Sequence, residues 1–125
     1  MAVDTSHIYW ADNGTGTINE ANLDGTNVTI LESGQMEPGG VAVDGSHIYW
    51  ADQGTGTINE ANLDGSGATT LETDPHGPVG VAVDSSHIYW TDPGSSTINE
   101  ASLTGGTVTT LETGQQGPFG VAVGP

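Results

Sequence analysis

The residues best suited to chemistry in this sequence are histidines and aspartates, and they recur at intervals of forty residues. Imidazole nitrogens and carboxylate oxygens are both common ligands of divalent metal ions. A ring of equivalent copies would therefore offer metal chemistry. The histidines are His7, His47 and His87; the aspartates are Asp4, Asp44 and Asp84, followed by Asp12, Asp52 and Asp92.

A structural role is the preferred interpretation of the three histidines. Each begins a strand-like run directly after a turn, so the copies should stand too far apart to share the roughly 2 Å bonds of one zinc ion. A fourth histidine, His76, falls in a loop and is expected to be exposed. We predict no metal centre and no cofactor. The remaining candidates for a bound cation such as calcium or sodium are Asp4, Asp44 and Asp84, which directly follow the first strand of each repeat.

Nucleophilic catalysis is not indicated either. Ser46 precedes His47 directly, and adjacent residues of a strand point to opposite faces. The segment Gly14-Thr15-Gly16 resembles part of a phosphate-binding loop, but no helix follows it and the chain has no lysine. The sequence therefore predicts a protein that is not an enzyme.

The charge of the chain limits its partners. It carries sixteen Asp and Glu and no Lys or Arg among 125 residues, a formal net charge of -16. Binding to phosphate backbones or to anionic membrane surfaces depends on basic side chains, so neither nucleic acid nor a membrane is expected as a partner. Met1-Ala2-Val3-Asp4 does not begin a signal peptide, and the compartment stays open.

The order of the elements follows from an internal repeat. Aligning Met1, Val41 and Val81 gives a period of forty residues without insertions, with 27 of 40 positions identical between the first two units and 26 of 40 between the last two. Such a period indicates units that bury their apolar faces by stacking on one another. We assign the units to 1–40, 41–80 and 81–120, with a remainder at 121–125.

Each unit contains four short runs typical of strands. In the middle unit these are 40–44, 47–52, 57–63 and 68–72, separated by turns rich in glycine, aspartate and asparagine. The prolines at 75 and 78 argue against strand pairing in the connector that follows. No segment has helical periodicity, and the pattern therefore predicts a four-stranded antiparallel sheet in every unit.

Forty residues and four strands are typical of one blade of a β-propeller. Helical repeats are excluded by the alternation of apolar and polar residues, and a parallel β-helix has shorter repeats without hairpins. Val-Ala-Val flanked by glycine suits the innermost strand, where the sheets of a propeller converge. The predicted fold class is all-β, with three propeller blades in the chain.

The hexapeptides His-Ile-Tyr-Trp-Ala-Asp at 7–12 and 47–52, and His-Ile-Tyr-Trp-Thr-Asp at 87–92, resemble the YWTD repeat of low-density lipoprotein receptor propellers. Ala-Asn-Leu-Asp-Gly at 21–25 and 61–65 is also similar to that family. The resemblance implies a six-bladed ring in which the aspartate that ends the motif bonds to backbone and ties neighbouring blades together. The residues predicted to act structurally between blades are Asp12, Asp52, Asp92, Trp10, Trp50 and Trp90.

A chain of three blades would leave two apolar blade faces uncovered, because closed propellers have about four to eight blades. Two copies related by a two-fold axis would supply six, so we predict a homodimer that forms one ring. Val121, Ala122 and Val123 repeat the innermost strand a fourth time. We expect this surplus strand to close the ring by exchange into the first blade of the partner, in competition with Met1-Ala2-Val3.

The preferred functional hypothesis is a non-catalytic, self-assembling symmetric propeller, either recently amplified or engineered. Near-identical blades favour it because a specific site needs blades that differ. The alternatives are a receptor-like module that binds a protein or glycan, and an enzyme that resembles propeller lyases. The connectors at 33–39, 73–79 and 113–119 vary most between units, and a binding surface would be expected there.

Overall fold

The computed structural model describes residues 1–74 and 76–124, so Pro75 and Pro125, which the sequence assigned to a connector and to the surplus segment, lie outside the described residues. The chain forms three four-stranded antiparallel sheets, and each sheet follows chain order. The predicted all-β class and the four-stranded units are therefore confirmed. Among the described residues, no helix has the length and apolar character needed to cross a membrane.

The three sheets repeat the same strand bounds with small changes. Sheet 1 contains β1 (Ala2–Val3), β2 (His7–Asp12), β3 (Thr17–Asn22) and β4 (Thr29–Glu32). Sheet 2 contains β5 (Pro38–Val43), β6 (His47–Asp52), β7 (Thr57–Asn62) and β8 (Thr69–Thr73). Sheet 3 contains β9 (Val81–Val83), β10 (His87–Asp92), β11 (Thr97–Ser102) and β12 (Thr109–Glu112).

Alternation along the second strand of each sheet sends tyrosine and tryptophan to opposite faces. We call the face that carries tryptophan the front, because it looks toward the preceding sheet, and the other face the rear. Tyr9 and Ile18 on the rear of sheet 1 pack against Ile48 and Trp50 on the front of sheet 2. The same pairing joins sheets 2 and 3 through Tyr49, Ile58, Ile88 and Trp90. The apolar core therefore consists of two layers, one between sheets 1 and 2 and one between sheets 2 and 3. Each sheet buries an apolar face only by packing on a neighbouring sheet.

The fourth copy of the innermost strand forms no strand pair with the described residues. Val121–Val123 has no strand assignment, whereas Ala2–Val3 occupies the inner edge of sheet 1 and pairs with β2. Met1 and Val121 line the same inner pocket, so the two ends of the chain meet near the convergence of the sheets. Exchange of the surplus segment with a second copy stays a prediction.

Candidate functional site

The junctions between sheets are built from the connector that leaves one sheet and the tryptophan of the next. Trp50 donates from Nε1 to Gln35 Oε1 at 3.0 Å, and Trp90 donates from Nε1 to Asp74 Oδ2 at 2.8 Å. Both indoles are buried, with 1% of Trp50 and 0% of Trp90 exposed. Each connector therefore supplies the hydrogen-bond acceptor that an indole N–H needs in order to be buried.

Backbone contacts reinforce the junction between sheets 1 and 2. Gly54 N–H donates to Met36 O at 2.7 Å, and Gln53 N–H donates to Glu37 O at 3.1 Å. A Cβ added to Gly54 would lie 2.7 Å from the same Met36 oxygen. At the junction between sheets 2 and 3, a Cβ added to Gly94 would collide with His76 O. Glycine is needed at this position because the backbones of adjacent sheets touch there.

The outer edges of the sheets meet in a second backbone contact. A Cβ on Gly65 would lie 2.5 Å from Leu31 O, and one on Gly105 would lie 2.9 Å from Leu71 O. The equivalent glycine of sheet 1, Gly25, has nothing within 4 Å of such an atom. Leu111, the equivalent of Leu31, is 45% exposed. Gly25 and the Leu111 backbone therefore have no such contact among the described residues.

The uncovered front of sheet 1 shows the same incompleteness. Ile8 and Trp10 are half-buried, whereas their equivalents in sheets 2 and 3 are fully buried. Asp12 is exposed, although Asp52 and Asp92 are buried. Among the residues that the structure describes, no hydrogen-bond acceptor faces the indole N–H of Trp10.

The connector after sheet 3 repeats the hydrogen bonds that orient the acceptor Gln35 toward sheet 2. Gln115 N–H donates to Ser96 O at 3.0 Å, as Gln35 N–H donates to Gly16 O at 2.9 Å. Its side-chain amide donates to Thr113 O at 3.1 Å, as that of Gln35 donates to Ser33 O at 3.0 Å. The Oε1 atom of Gln115 is therefore held as Gln35 Oε1 is held for Trp50, in a position where no indole of its own chain can reach it.

The aspartates predicted to tie the sheets together are placed differently from one another. Burial raises the pKa of Asp52, against a lowering by the Met36 N–H of the preceding connector and the Thr55 hydroxyl, and its Oδ1 has no hydrogen-bond partner. Asp92 accepts a 3.3 Å hydrogen bond from Ser95 N–H in its own sheet. Among the described residues, the backbone of a preceding connector therefore affects Asp52, whereas the hydrogen bond to Asp92 comes from its own sheet.

The candidate cation residues are occupied by their own turns. In all three copies one carboxylate oxygen accepts the backbone N–H groups of the serine and histidine that follow, and the other accepts the tyrosine hydroxyl at 2.6 to 2.7 Å. Each histidine Nδ1 lies 2.9 Å from the adjacent serine Oγ. The residues are Asp4, Asp44 and Asp84 with His7, His47 and His87, and within the described ranges none of them belongs to a cluster of three metal ligands.

These turns make the stability of the protein depend on pH. Hydrogen bonds from the Tyr89 hydroxyl and from the Ser86 and His87 N–H groups lower the pKa of Asp84 to about 2. A carboxyl with a lowered pKa stabilises the fold above its ordinary pKa of 3.8, and this contribution is lost as the pH falls through the lowered value. We expect Asp84→Asn to reduce the free energy of unfolding near neutral pH, by an amount that shrinks between about pH 4 and about pH 2.

Denaturant unfolding at several pH values measures this effect. Glu37→Gln is the control, because it removes the same charge from an exposed residue of the connector between sheets 1 and 2. A difference between wild type and Asp84→Asn that stayed constant down to pH 2 would contradict the role of the ionised carboxylate.

The sequence did not predict one cluster of side chains that could bind a metal ion. Asp74, His76 and Asp92 meet at the junction of sheets 2 and 3, with their ligand atoms within 4.8 Å of one another. His76 is exposed, as expected for a loop histidine, but the two carboxylates are buried. The available signal was the variability of the connector, since Asp74 and His76 replace Gly34 and Met36 of the first unit.

The chain matches no protein-family model and no curated protein. Its fold is similar to several solved propellers. A chain of the nidogen/laminin complex aligns with a TM-score of 0.86 at 28% identity, over 95% of this chain and 49% of that one. A virginiamycin B lyase from Staphylococcus aureus aligns at 0.80 with 14% identity, over 100% and 45%, and a streptogramin B lyase aligns at 0.82 with 16% identity, over 98% and 43%.

The likeness to the nidogen/laminin structure agrees with the YWTD resemblance at the level of the fold. The two lyases are too distant to indicate more than a propeller architecture. In all three cases this chain spans less than half the length of the protein it matches.

Proposed function

We propose that this chain is a non-catalytic half-propeller that assembles with a second copy into a closed ring of six sheets. The observation that carries the proposal is the pair of complementary ends. No acceptor in the described part of the chain faces Trp10 Nε1, and Gln115 repeats the hydrogen bonds that orient Gln35 toward Trp50. In the ring, Gln115 of each copy would accept Trp10 Nε1 of the other.

Further contacts support the same register. By the forty-residue repeat, Gly25 of one copy would pack on the backbone at Leu111 of the other, as Gly65 packs on Leu31. Burial of the half-exposed Ile8, Trp10, Tyr89 and Ile98 would complete a third apolar layer of the kind found between sheets 1 and 2. Such a head-to-tail contact gives a closed assembly when the rotation per chain returns to the start. Because the chain covers 43 to 49% of three propeller chains, two copies suit one ring.

The first test is the mass of the protein in solution. Light scattering or native mass spectrometry at micromolar concentration should give twice the 12.7 kDa chain, about 25 kDa. A mass of one chain, or a distribution of larger open assemblies, would contradict the closed pair. Two copies make two identical junctions, so dissociation should proceed without a stable open intermediate.

A second candidate function is recognition of a protein partner. The nidogen structure that resembles this chain at 28% identity was solved in a complex with laminin. Met36 lies in the connector between sheets 1 and 2 and is 57% exposed. This function would require a partner that binds the assembled ring and is released by Met36→Ser. The near-identity of the three units favours the first proposal, since a specific surface needs sheets that differ.

A further inference from the structure

We propose that Asp74, His76 and Asp92 form a binding site for one divalent transition-metal ion, such as zinc, at the junction of sheets 2 and 3. The site is independent of the assembly, because all three ligands belong to one chain. It also differs from the cation candidates that follow the first strands. Both oxygens of those carboxylates accept hydrogen bonds within their own turns, whereas Asp92 Oδ2 accepts none from an N–H group of the described residues. Asp74 Oδ1 accepts the His76 backbone N–H at 3.1 Å, which leaves its second lone pair for an ion.

The distances between the three side chains suit a metal ion. His76 Nδ1 lies 3.2 Å from Asp74 Oδ1 and 3.7 Å from Asp92 Oδ2. Ligands bonded to a tetrahedral zinc at roughly 2.0 to 2.2 Å stand about 3.3 to 3.6 Å from each other. Small side-chain rotations would bring the three atoms to equal distance from a common centre.

The two carboxylates need a positive partner. Asp92 is 1% exposed, and the 3.3 Å bond from Ser95 N–H to Oδ1 is its only hydrogen bond from an N–H group among the described residues. Its Oδ2 points toward His76, beyond hydrogen-bond distance, and the carboxyl of Asp74 is its other neighbour. Asp74 and Asp92 are thus two buried carboxyl groups with ligand atoms within 4.8 Å of each other, and two such groups cannot both stay ionised without a cation or a shared proton.

No basic side chain is available to supply that charge, since the chain contains no Lys or Arg. His76 is the nearest group that can become positive. A metal ion bound by the neutral imidazole would compensate both carboxylates at once, and one nitrogen with two carboxylate oxygens is a ligand set that zinc accepts. Calcium and magnesium prefer oxygen ligands alone and should bind more weakly.

The surroundings of the cluster hold the ligands in place and leave room for a fourth. Trp90 Nε1 donates to Asp74 Oδ2 at 2.8 Å, which directs Oδ1 of the same carboxylate toward His76. Hydrogen bonds of this kind orient metal ligands and strengthen the sites they serve. The cluster opens into a pocket of about 310 Å³ that Ser95, Thr97 and Asn99 also line, so water can complete the coordination.

The repeat supplies natural counterparts that lack the site. Gly34 and Met36 occupy the positions of Asp74 and His76 in the first unit, and Gly114 and Gln116 occupy them in the third. The chain therefore predicts one ion per chain, with binding that is insensitive to the number of chains in the assembly.

Metal binding to the purified chain, stripped with a chelator, tests the proposal. Titration with zinc, followed by competition against a chromogenic chelator, should give one ion per chain, and cobalt should give the visible absorption of a site with four ligands. His76→Gln, which copies Gln116, and Asp74→Asn, which keeps an acceptor for Trp90, should each weaken zinc binding about tenfold or more. His47→Gln is the matched control and should bind as wild type does.

Three results would overturn the site. These are zinc binding weaker than about millimolar, equal affinity in wild type and His76→Gln, or an equal loss of affinity in His47→Gln. His76 is 58% exposed at its side chain and the third unit carries glutamine there, so His76→Gln should fold. Circular dichroism of each variant confirms folding before titration.

Discussion

Gly14→Val should convert the assembled protein into a monomer of 12.7 kDa while leaving the fold of the chain intact. Within the chain, the nearest atom to a Cβ at Gly14 is Asp12 Oδ1, at an ordinary contact distance of 3.8 Å. The equivalent glycines, Gly54 and Gly94, lie directly against the connector of the preceding sheet. In the proposed ring a valine at position 14 would meet the backbone at Gln116 of the second copy. Hydrogen bonds at Gln115 N–H and Phe119 O hold that connector to sheet 3, so its displacement would break them.

The control is Gly45→Thr. Gly45 has nothing within 4 Å of an added Cβ, and the first unit carries Thr5 at the same place. This variant should keep the mass of about 25 kDa. Light scattering of both variants, with circular dichroism to show that each is folded, measures the result. A Gly14→Val protein that remains dimeric would refute the proposed register of the ring.

Trp90→Ala should have the largest effect on the stability of the single chain, a loss of about 3 to 5 kcal/mol of unfolding free energy. Trp90 is fully buried against Ile58 and Tyr49, and it donates the hydrogen bond that satisfies buried Asp74. Its removal therefore leaves both a cavity and an unpaired carboxylate oxygen.

Trp10→Ala separates the stability of the chain from that of the assembly. In the monomeric Gly14→Val background it should reduce the unfolding free energy much less than Trp90→Ala does, because Trp10 is half-exposed in the chain by itself. In the dimeric protein it should weaken association at least about tenfold, as expected for a tryptophan at the centre of an interface.

Chemical denaturation of the monomeric variants and concentration-dependent light scattering of the dimeric ones measure the two effects. Dimer stability depends on protein concentration, so the comparison requires equal concentrations. Equal destabilisation by the two substitutions in the monomeric background would show that Trp10 is already buried within one chain. Unchanged association of Trp10→Ala would show that the contact with Gln115 does not form.

The strand pattern was predictable from the sequence because it depends on neighbours along the chain. The predicted strands at 47–52 and 57–63 agree with β6 and β7 to within one residue, since turns rich in glycine and aspartate mark their ends. His47, at the start of β6, was expected to be structural, and its Nδ1 lies 2.9 Å from the serine of its own turn. Interactions between residues only a few positions apart can be predicted from the local sequence.

Contacts between units were harder to predict. The partners of Trp50 and Trp90 are a glutamine at 35 and an aspartate at 74, at different offsets in the connectors, so no spacing rule connects them. The same irregularity hid the cluster around His76, whose ligands come from a connector and from the strand of the following unit. The role of Asp4, Asp44 and Asp84 as cation ligands stays a prediction. Their hydrogen bonds to tyrosine hydroxyls were not predictable from spacing, because they depend on the pairing of strands.

The sequence by itself determined that the chain consists of three equivalent antiparallel sheets, because a forty-residue period and alternating apolar residues allow few other arrangements. Only the tertiary structure decided which face of each sheet is covered, and hence that the front of sheet 1, with Trp10, is less buried than the front faces of sheets 2 and 3. The reason is physical: repetition gives identical sheets identical local structure, but burial depends on whether a neighbour is present. Within the described chain, sheets 1 and 3 each pack against a neighbouring sheet on one face only.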